Sequence, residues 1–121
     1  MENETILVAD DSPTEMRIVV SALESKGFRV VTAVDGEEAI QKATSLRPRL
    51  AILDIVMPKM NGFQVLRKLK SAGDTKDIKI LLLSSKSSES DRFWGMKQGA
   101  DDYITKPFES DALAAAVTRL L

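Results

Sequence analysis

The chain reads as an α/β protein, a doubly wound five-stranded parallel sheet of (βα)5 type with helices on both faces. Three observations predict it. Five apolar runs of four to eight residues alternate with five stretches of helical periodicity. The runs are continuous rather than alternating, as in strands buried on both faces. The connections are short, and strict alternation with short loops implies parallel strands and right-handed crossovers. With 121 residues, the whole chain, 1–121, is one domain large enough to bury a core.

Thr5-Ile6-Leu7-Val8-Ala9 is the first strand, and it runs into Asp10-Asp11. Ser12-Pro13-Thr14-Glu15 then supplies a cap, Pro at the first helical position and Glu three residues after the cap. Met16, Val19, Val20 and Leu23 form the inner stripe of this helix, and Lys26-Gly27 stops it. Phe28 to Ala33 is the second strand and Asp35-Gly36 its turn. The helix from Glu37 to Leu46 turns Ala39, Ile40, Ala43 and Leu46 inward, and Arg47-Pro48 closes it. Arg49-Leu50-Ala51-Ile52-Leu53-Asp54-Ile55-Val56-Met57-Pro58 is the central strand, over by about Met57 because Pro58 cannot join a ladder.

Asn61-Gly62 opens a third helix to about Ala72 with Val65, Leu66 and Leu69 inward, and Gly73-Asp74 ends it. Ile78 to Leu83 is the fourth strand, ending in Ser84-Ser85-Lys86. A polar start from Ser87 leads into a helix whose Phe93 and Met96 are expected in the core, with Trp94 half-buried and Gly99 the stop. Asp102 to Thr105 is the short fifth strand before Lys106-Pro107. The last helix, from about Glu109, packs Leu113, Ala116, Val117 and Leu120.

Composition narrows the chemistry. Lys and Arg number 17 against 18 Asp and Glu, a net charge of -1, so no electrostatic case exists for nucleic acid or an anionic membrane as partner. Cys and His are both absent, which removes disulfides, thiolate catalysis, imidazole bases and His or Cys metal ligands. What remains is carboxylates, hydroxyls, Lys, backbone and a hard cation. No apolar run reaches membrane-spanning length, and Met1-Glu2-Asn3-Glu4 is unlike a signal peptide, so a cytoplasmic protein is the expectation.

Parallel strands end on one edge, and ligands of open α/β sheets bind outside those ends. Here the ends carry Asp10-Asp11, Asp54, Ser84 and Lys106. Taken singly each has a plain reading. Asp54 is a turn former, Asp11 and Ser12 cap a helix, Ser84 begins a polar loop and Lys106 is solvated. That all are incidental is much harder to accept. A like-charged pair about 4 Å apart costs on the order of 4 kcal/mol at an effective dielectric of about 20. The carboxylates therefore keep protons or take a cation, and an all-oxygen set suits Mg²⁺. A carboxylate is also a competent nucleophile towards phosphorus. Phosphoryl oxygens held there would meet Mg²⁺, Lys106 and the Ser84 hydroxyl.

These residues, with Met57-Pro58, Asn61-Gly62 and the run from Gly99-Ala100-Asp101-Asp102-Tyr103 to Lys106-Pro107-Phe108, resemble the receiver domain of two-component response regulators, of the CheY-like kind. The resemblance spans nearly the whole chain. It implies the flavodoxin-like strand order 2-1-3-4-5. It implies that Asp54 accepts phosphoryl from the phosphohistidine of a histidine kinase or phosphotransfer protein. Asp10, Asp11, Asp54 and the Val56 carbonyl would hold Mg²⁺, and Ser84 and Lys106 would grip the phosphoryl group. Ser84 and Tyr103 would form the switch, Tyr103 turning inward on activation. The face of the fourth helix, fifth strand and fifth helix would then bind a target protein. Lys106-Pro107 would be a cis peptide. Val56 and Lys86 would flank the attacking water and set the phosphate's lifetime. Such a protein catalyses only its own phosphorylation and dephosphorylation.

Asp91-Arg92-Phe93-Trp94-Gly95-Met96-Lys97-Gln98-Gly99-Ala100 further resembles stand-alone receivers of type IV pilus and twitching chemosensory systems. Two other functions compete. A haloacid-dehalogenase-like phosphatase or phosphotransferase would carry Asp-x-Asp on its first strand, whereas Asp54 lies on the third and is followed by Ile55-Val56. A phosphorylation-independent scaffold usually lacks an acidic-pair residue or the Lys, and this chain has them all.

Overall fold

The computed structural model describes residues 5–121; the N-terminal four, read above as unlike a signal peptide, lie outside the described residues. Five strands alternate with five helices: β1 (Thr5–Ala9), α1 (Pro13–Glu24), β2 (Arg29–Ala33), α2 (Gly36–Leu46), β3 (Leu50–Leu53), α3 (Gly62–Ser71), β4 (Lys79–Ser84), α4 (Glu89–Lys97), β5 (Asp102–Thr105) and α5 (Ser110–Leu120). The sheet order is β2-β1-β3-β4-β5 with every pairing parallel, as the resemblance implied. The central strand is shorter than expected. It stops at Leu53, so Asp54 stands one residue beyond the ladder instead of inside it.

The period of two along each strand divides the core. Leu7, Ala9, Ala51, Leu53, Ile80 and Leu82 face α2 and α3, where Ala39, Ala43, Val65, Leu66 and Leu69 meet them. Ile6, Val8, Leu50, Ile52, Leu81 and Leu83 face α1 and α5, meeting Val19, Leu23, Leu113 and Val117. Each Val, Leu or Ile side chain among these contributes about 1.5–3 kcal/mol by leaving water. Ser12 caps α1 as read from the sequence, and Asp35, Asn61 and Ser88 likewise accept a backbone N–H of the first turn of their helices; the capping box forms at Asn61 and Gln64 and not at Ser12 and Glu15.

Two expected core assignments fail. Leu46 is exposed, because it lies in the last turn of α2, where the chain leaves through Arg47 in the left-handed region at φ 47°. On α4, Phe93 and Met96 are 65% and 47% exposed, and the buried residue is Gly95. Gly95 lies about 200° round the helix from Phe93. A Cβ at Gly95 would stand 2.8 Å from Leu82 Cδ1 and 3.0 Å from Tyr103 Cδ2. The helix therefore seats its backbone directly on the core, and its large apolar side chains point out. Trp94, expected half-buried, is 49% exposed.

Candidate functional site

One hydrogen bond beyond each ladder fixes each charged residue. The Asp10 N–H donates to Ala33 O at 3.1 Å, the Asp54 N–H to Ala9 O at 3.0 Å and the Lys106 N–H to Ser84 O at 2.9 Å. Three side chains from three strand ends are thereby brought to one point. Lys106 Nζ donates to Asp10 Oδ2 at 2.7 Å and to Asp54 Oδ2 at 3.2 Å. Its remaining partner is Glu15 Oε1, from the first turn of α1. An ammonium has three N–H donors, so Lys106 is saturated by three carboxylates.

The charge balance follows from burial. Burial opposes the Lys106 charge, but hydrogen bonds to Asp10 and Glu15 and the field of Asp54 outweigh it, and its pKa lies well above the usual value. Burial pushes the Asp54 carboxyl up; Lys106 pulls against that shift and the Asp10 charge adds to it. The repulsion anticipated among the carboxylates is offset in part by the protein's own cation, one ammonium among three acids.

Asp10, Glu15 and Asp54 each place a carboxylate oxygen within 4.8 Å of the others, close enough to share an ion. Asp11 lies outside that trio and is exposed, since consecutive residues leaving a strand point to opposite sides. Glu15 is the residue that sequence reasoning missed. Its spacing from Ser12 is that of a capping box, but the Ser12 N–H it would cap already donates to Asp10 Oδ1 at 2.9 Å. A first-turn acid whose capping partner is next to the strand-end acids was the available signal.

Ser84 is fully buried at the end of β4, its Oγ accepting the Lys86 N–H at 3.3 Å. Tyr103 is already inside: the ring is buried and its hydroxyl donates to Lys86 O at 2.5 Å. The Arg92 guanidinium stands 5.3 Å from the ring centroid and also reaches Thr105 Oγ1 at 3.4 Å. Burial, with the Asp91 charge, raises the tyrosine's pKa. Val56 and the Lys86 side chain are exposed, and the Val56 N–H donates to Asp54 Oδ1 at 3.3 Å. The loop after Asp54 returns so closely that a Cβ on Gly62 would lie 2.3 Å from Asp54 O. Lys106-Pro107 is cis.

A doubly wound parallel sheet whose strand tips join carboxylates to one largely enclosed ammonium, with a hydroxyl on the adjacent strand end, is an α/β domain with its polar site outside the carboxyl ends of its strands. Residues 6–118 match the response regulator receiver domain, and the chain belongs to that family. It is 39% identical to Protein PilH of Pseudomonas aeruginosa over 96% of both chains. In structure it is similar to the chemotaxis protein CheY4 of Vibrio cholerae, with TM-score 0.92, 32% identity and coverage of 99% and 100% of the two chains. A receiver domain of a Pseudomonas aeruginosa sensor histidine kinase, solved with magnesium coordinated in its active site cleft, gives TM-score 0.91 at 25% identity, covering 98% of each chain. Several curated transcriptional regulators match at 39–40% identity, and the chain spans about half their length, 48–49%. The family works between histidine kinases and downstream targets, and its domains bind Mg²⁺ at an acidic pocket. Among the described residues no helix is long and apolar enough to cross a membrane.

Proposed function

We propose that this domain, residues 1–121, is a phosphorylation-driven switch in which Asp54 receives a phosphoryl group from a partner's phosphohistidine. The observation that carries the reading is the Lys106 ammonium bridging Asp10 and Asp54 at the strand tips. An Asp54 oxygen attacks phosphorus, the phosphorus–nitrogen bond of the donor breaks, and the imidazole leaves on the partner. The chain has no His of its own, in keeping with a donor on another protein.

The carboxylate oxygens of Asp10 and Asp54 fit a hard divalent cation, and Asp11 and the Val56 carbonyl complete the proposed Mg²⁺ set. Bound there, Mg²⁺ would neutralise charge building on the phosphoryl oxygens. Lys106 then grips a phosphoryl oxygen, and the Ser84 hydroxyl donates to another. Drawing Ser84 towards the phosphoryl group alters the room next to Tyr103, whose hydroxyl holds Lys86 O. The α4-β5-α5 face is thereby coupled to Asp54 and binds a downstream protein. A pilus or twitching system is the favoured setting, supported by the likeness to PilH, and the cytoplasm the working compartment.

Val56 offers no side-chain hydrogen bond and Lys86 only donates, so neither accepts a proton from an attacking water. The phosphorylated form is therefore long-lived unless a partner assists, and Val56→Asn with Lys86→Glu releases phosphate faster. The deciding experiment is incorporation from acetyl phosphate with Mg²⁺, followed by intact mass. Wild type gains one phosphoryl group and Asp54→Asn none. Full labelling of Asp54→Asn would overturn the acceptor, and no labelling of wild type would favour a phosphorylation-independent scaffold.

A further inference from the structure

We propose that Glu15 is a positioning residue that holds Lys106 away from the phosphoryl group and restrains loading of the acceptor. This inference rests on Asp54 being that acceptor. Two observations point to it. Lys106 has one donor for each of three carboxylates, so none is left for a phosphoryl oxygen until a partner lets go. The three partners differ in how readily they leave. The Asp10 side chain is 3% exposed and fixed by the Ser12 N–H, whereas the Glu15 side chain is 48% exposed and finds water at once. Asp54 is itself the reacting group. Glu15 is therefore the partner that yields.

The local sequence explains why Glu15 is available. Ser12 caps α1 by accepting the Glu15 N–H at 3.3 Å, which sets the position of its Cα. An acid there normally folds back on the N–H of the cap residue. Asp10 holds that N–H, so the Glu15 side chain reaches Lys106 instead. Two effects then act in the same direction. Glu15 competes for the ammonium that a phosphoryl group needs, and its negative charge repels the incoming anion.

The test uses beryllofluoride, an anion that mimics a phosphoryl group on a carboxylate, at saturating Mg²⁺ so that changes in metal affinity drop out. Glu15→Gln keeps the shape and removes the charge. It is expected to bind beryllofluoride about two- to fivefold more tightly, the range of a half-exposed ion pair. Its initial rate of labelling by acetyl phosphate rises by a similar factor. Glu24→Gln, at the far end of α1, makes the same change in net charge and should leave both unchanged. Equal or weaker binding by Glu15→Gln, or an equal gain in Glu24→Gln, overturns the proposal. Wild type that binds no beryllofluoride overturns the acceptor reading and this inference together. A ligand-free readout stands apart from that: the side-chain ammonium signal of Lys106 in NMR should move in Glu15→Gln and stay in Glu24→Gln. An unmoved signal rules out the contact.

Discussion

The crevice at the strand tips and the α4 face are attached to the same sheet by opposite means. In the crevice, three charged side chains are largely withdrawn from water and each is held: Asp10 by Ser12 and Lys106, Asp54 by Val56 and Lys106, Lys106 by three acids. On α4 the large side chains are outside, and the helix rests on Gly95, on Tyr103 and on Arg92 lying over the ring. A site built of buried charge has few arrangements that satisfy all its groups. A helix seated on a bare backbone can shift with little loss of burial. The proposed chemistry therefore sits where the structure is over-determined, and the proposed output sits where it is loosely held.

The largest effect should come from breaking the crevice. Lys106→Met removes the one cation from a cluster containing the buried Asp10 and leaves its charge uncompensated. Loss of one partner from a buried ion pair typically costs about 3–5 kcal/mol. Urea denaturation without divalent metal should show a loss of that size, and added Mg²⁺ should restore part of it by binding the same carboxylates. A loss below about 1 kcal/mol would mean that the carboxylates relax into water or protonate without the lysine.

Next comes the seat of α4. Gly95→Val forces atoms into a space that Leu82 and Tyr103 already occupy. Overpacking of this kind costs about 1–3 kcal/mol. The expected sign of displacement is a Tyr103 ring that leaves its pocket, read as weakened protection of the Lys86–Tyr103 region in hydrogen exchange. Unchanged stability with Tyr103 in place would show that α4 floats more freely than Gly95 suggests.

How far the sequence disclosed these two regions differs for a physical reason. Strand-end residues are announced by where apolar runs stop, so parallel pairing and the meeting of Asp10, Asp54 and Lys106 followed from the residues, whereas the strand order came from the family resemblance. Glu15 was legible only as a cap, because which N–H is already occupied depends on the rotamer of Asp10, two residues before Ser12. On α4, an i, i+3 pair of Phe93 and Met96 looks like a core stripe. A glycine carries no hydropathy signal, so the face that packs by having no side chain was invisible. Leu46 failed similarly: periodicity does not know where the sheet beneath a helix ends.

A smaller effect with the opposite sign is expected at Asp54. Its folded-state pKa is raised, chiefly by burial. A raised carboxyl binds its proton more tightly in the folded chain, so the associated stability is complete below the unfolded pKa and is lost as pH rises through the folded one. At neutral pH the ionised Asp54 is thus a net cost. Asp54→Asn should melt above wild type at pH 7, and the difference should shrink as pH falls towards the ordinary Asp value. A variant less stable at neutral pH would mean that the Lys106 contact outweighs the burial penalty.

The smallest effect should come from the outer side of α4. Phe93 is mostly exposed, and its resolved partner is the Lys97 ammonium, 5.6 Å from the ring centroid. An exposed cation–π pair is worth about 0.5–1 kcal/mol. Phe and Ser have similar helix propensities, so Phe93→Ser removes the ring with little change in the intrinsic tendency of the helix. Surface substitutions away from special features usually stay within about 0.5 kcal/mol. The variant should therefore unfold in urea within about 1 kcal/mol of wild type, with Asp54 labelled by acetyl phosphate at the wild-type rate. If it instead loses as much as Gly95→Val, α4 leans on its outer side chains, and the contrast between a locked crevice and a loosely seated helix does not hold.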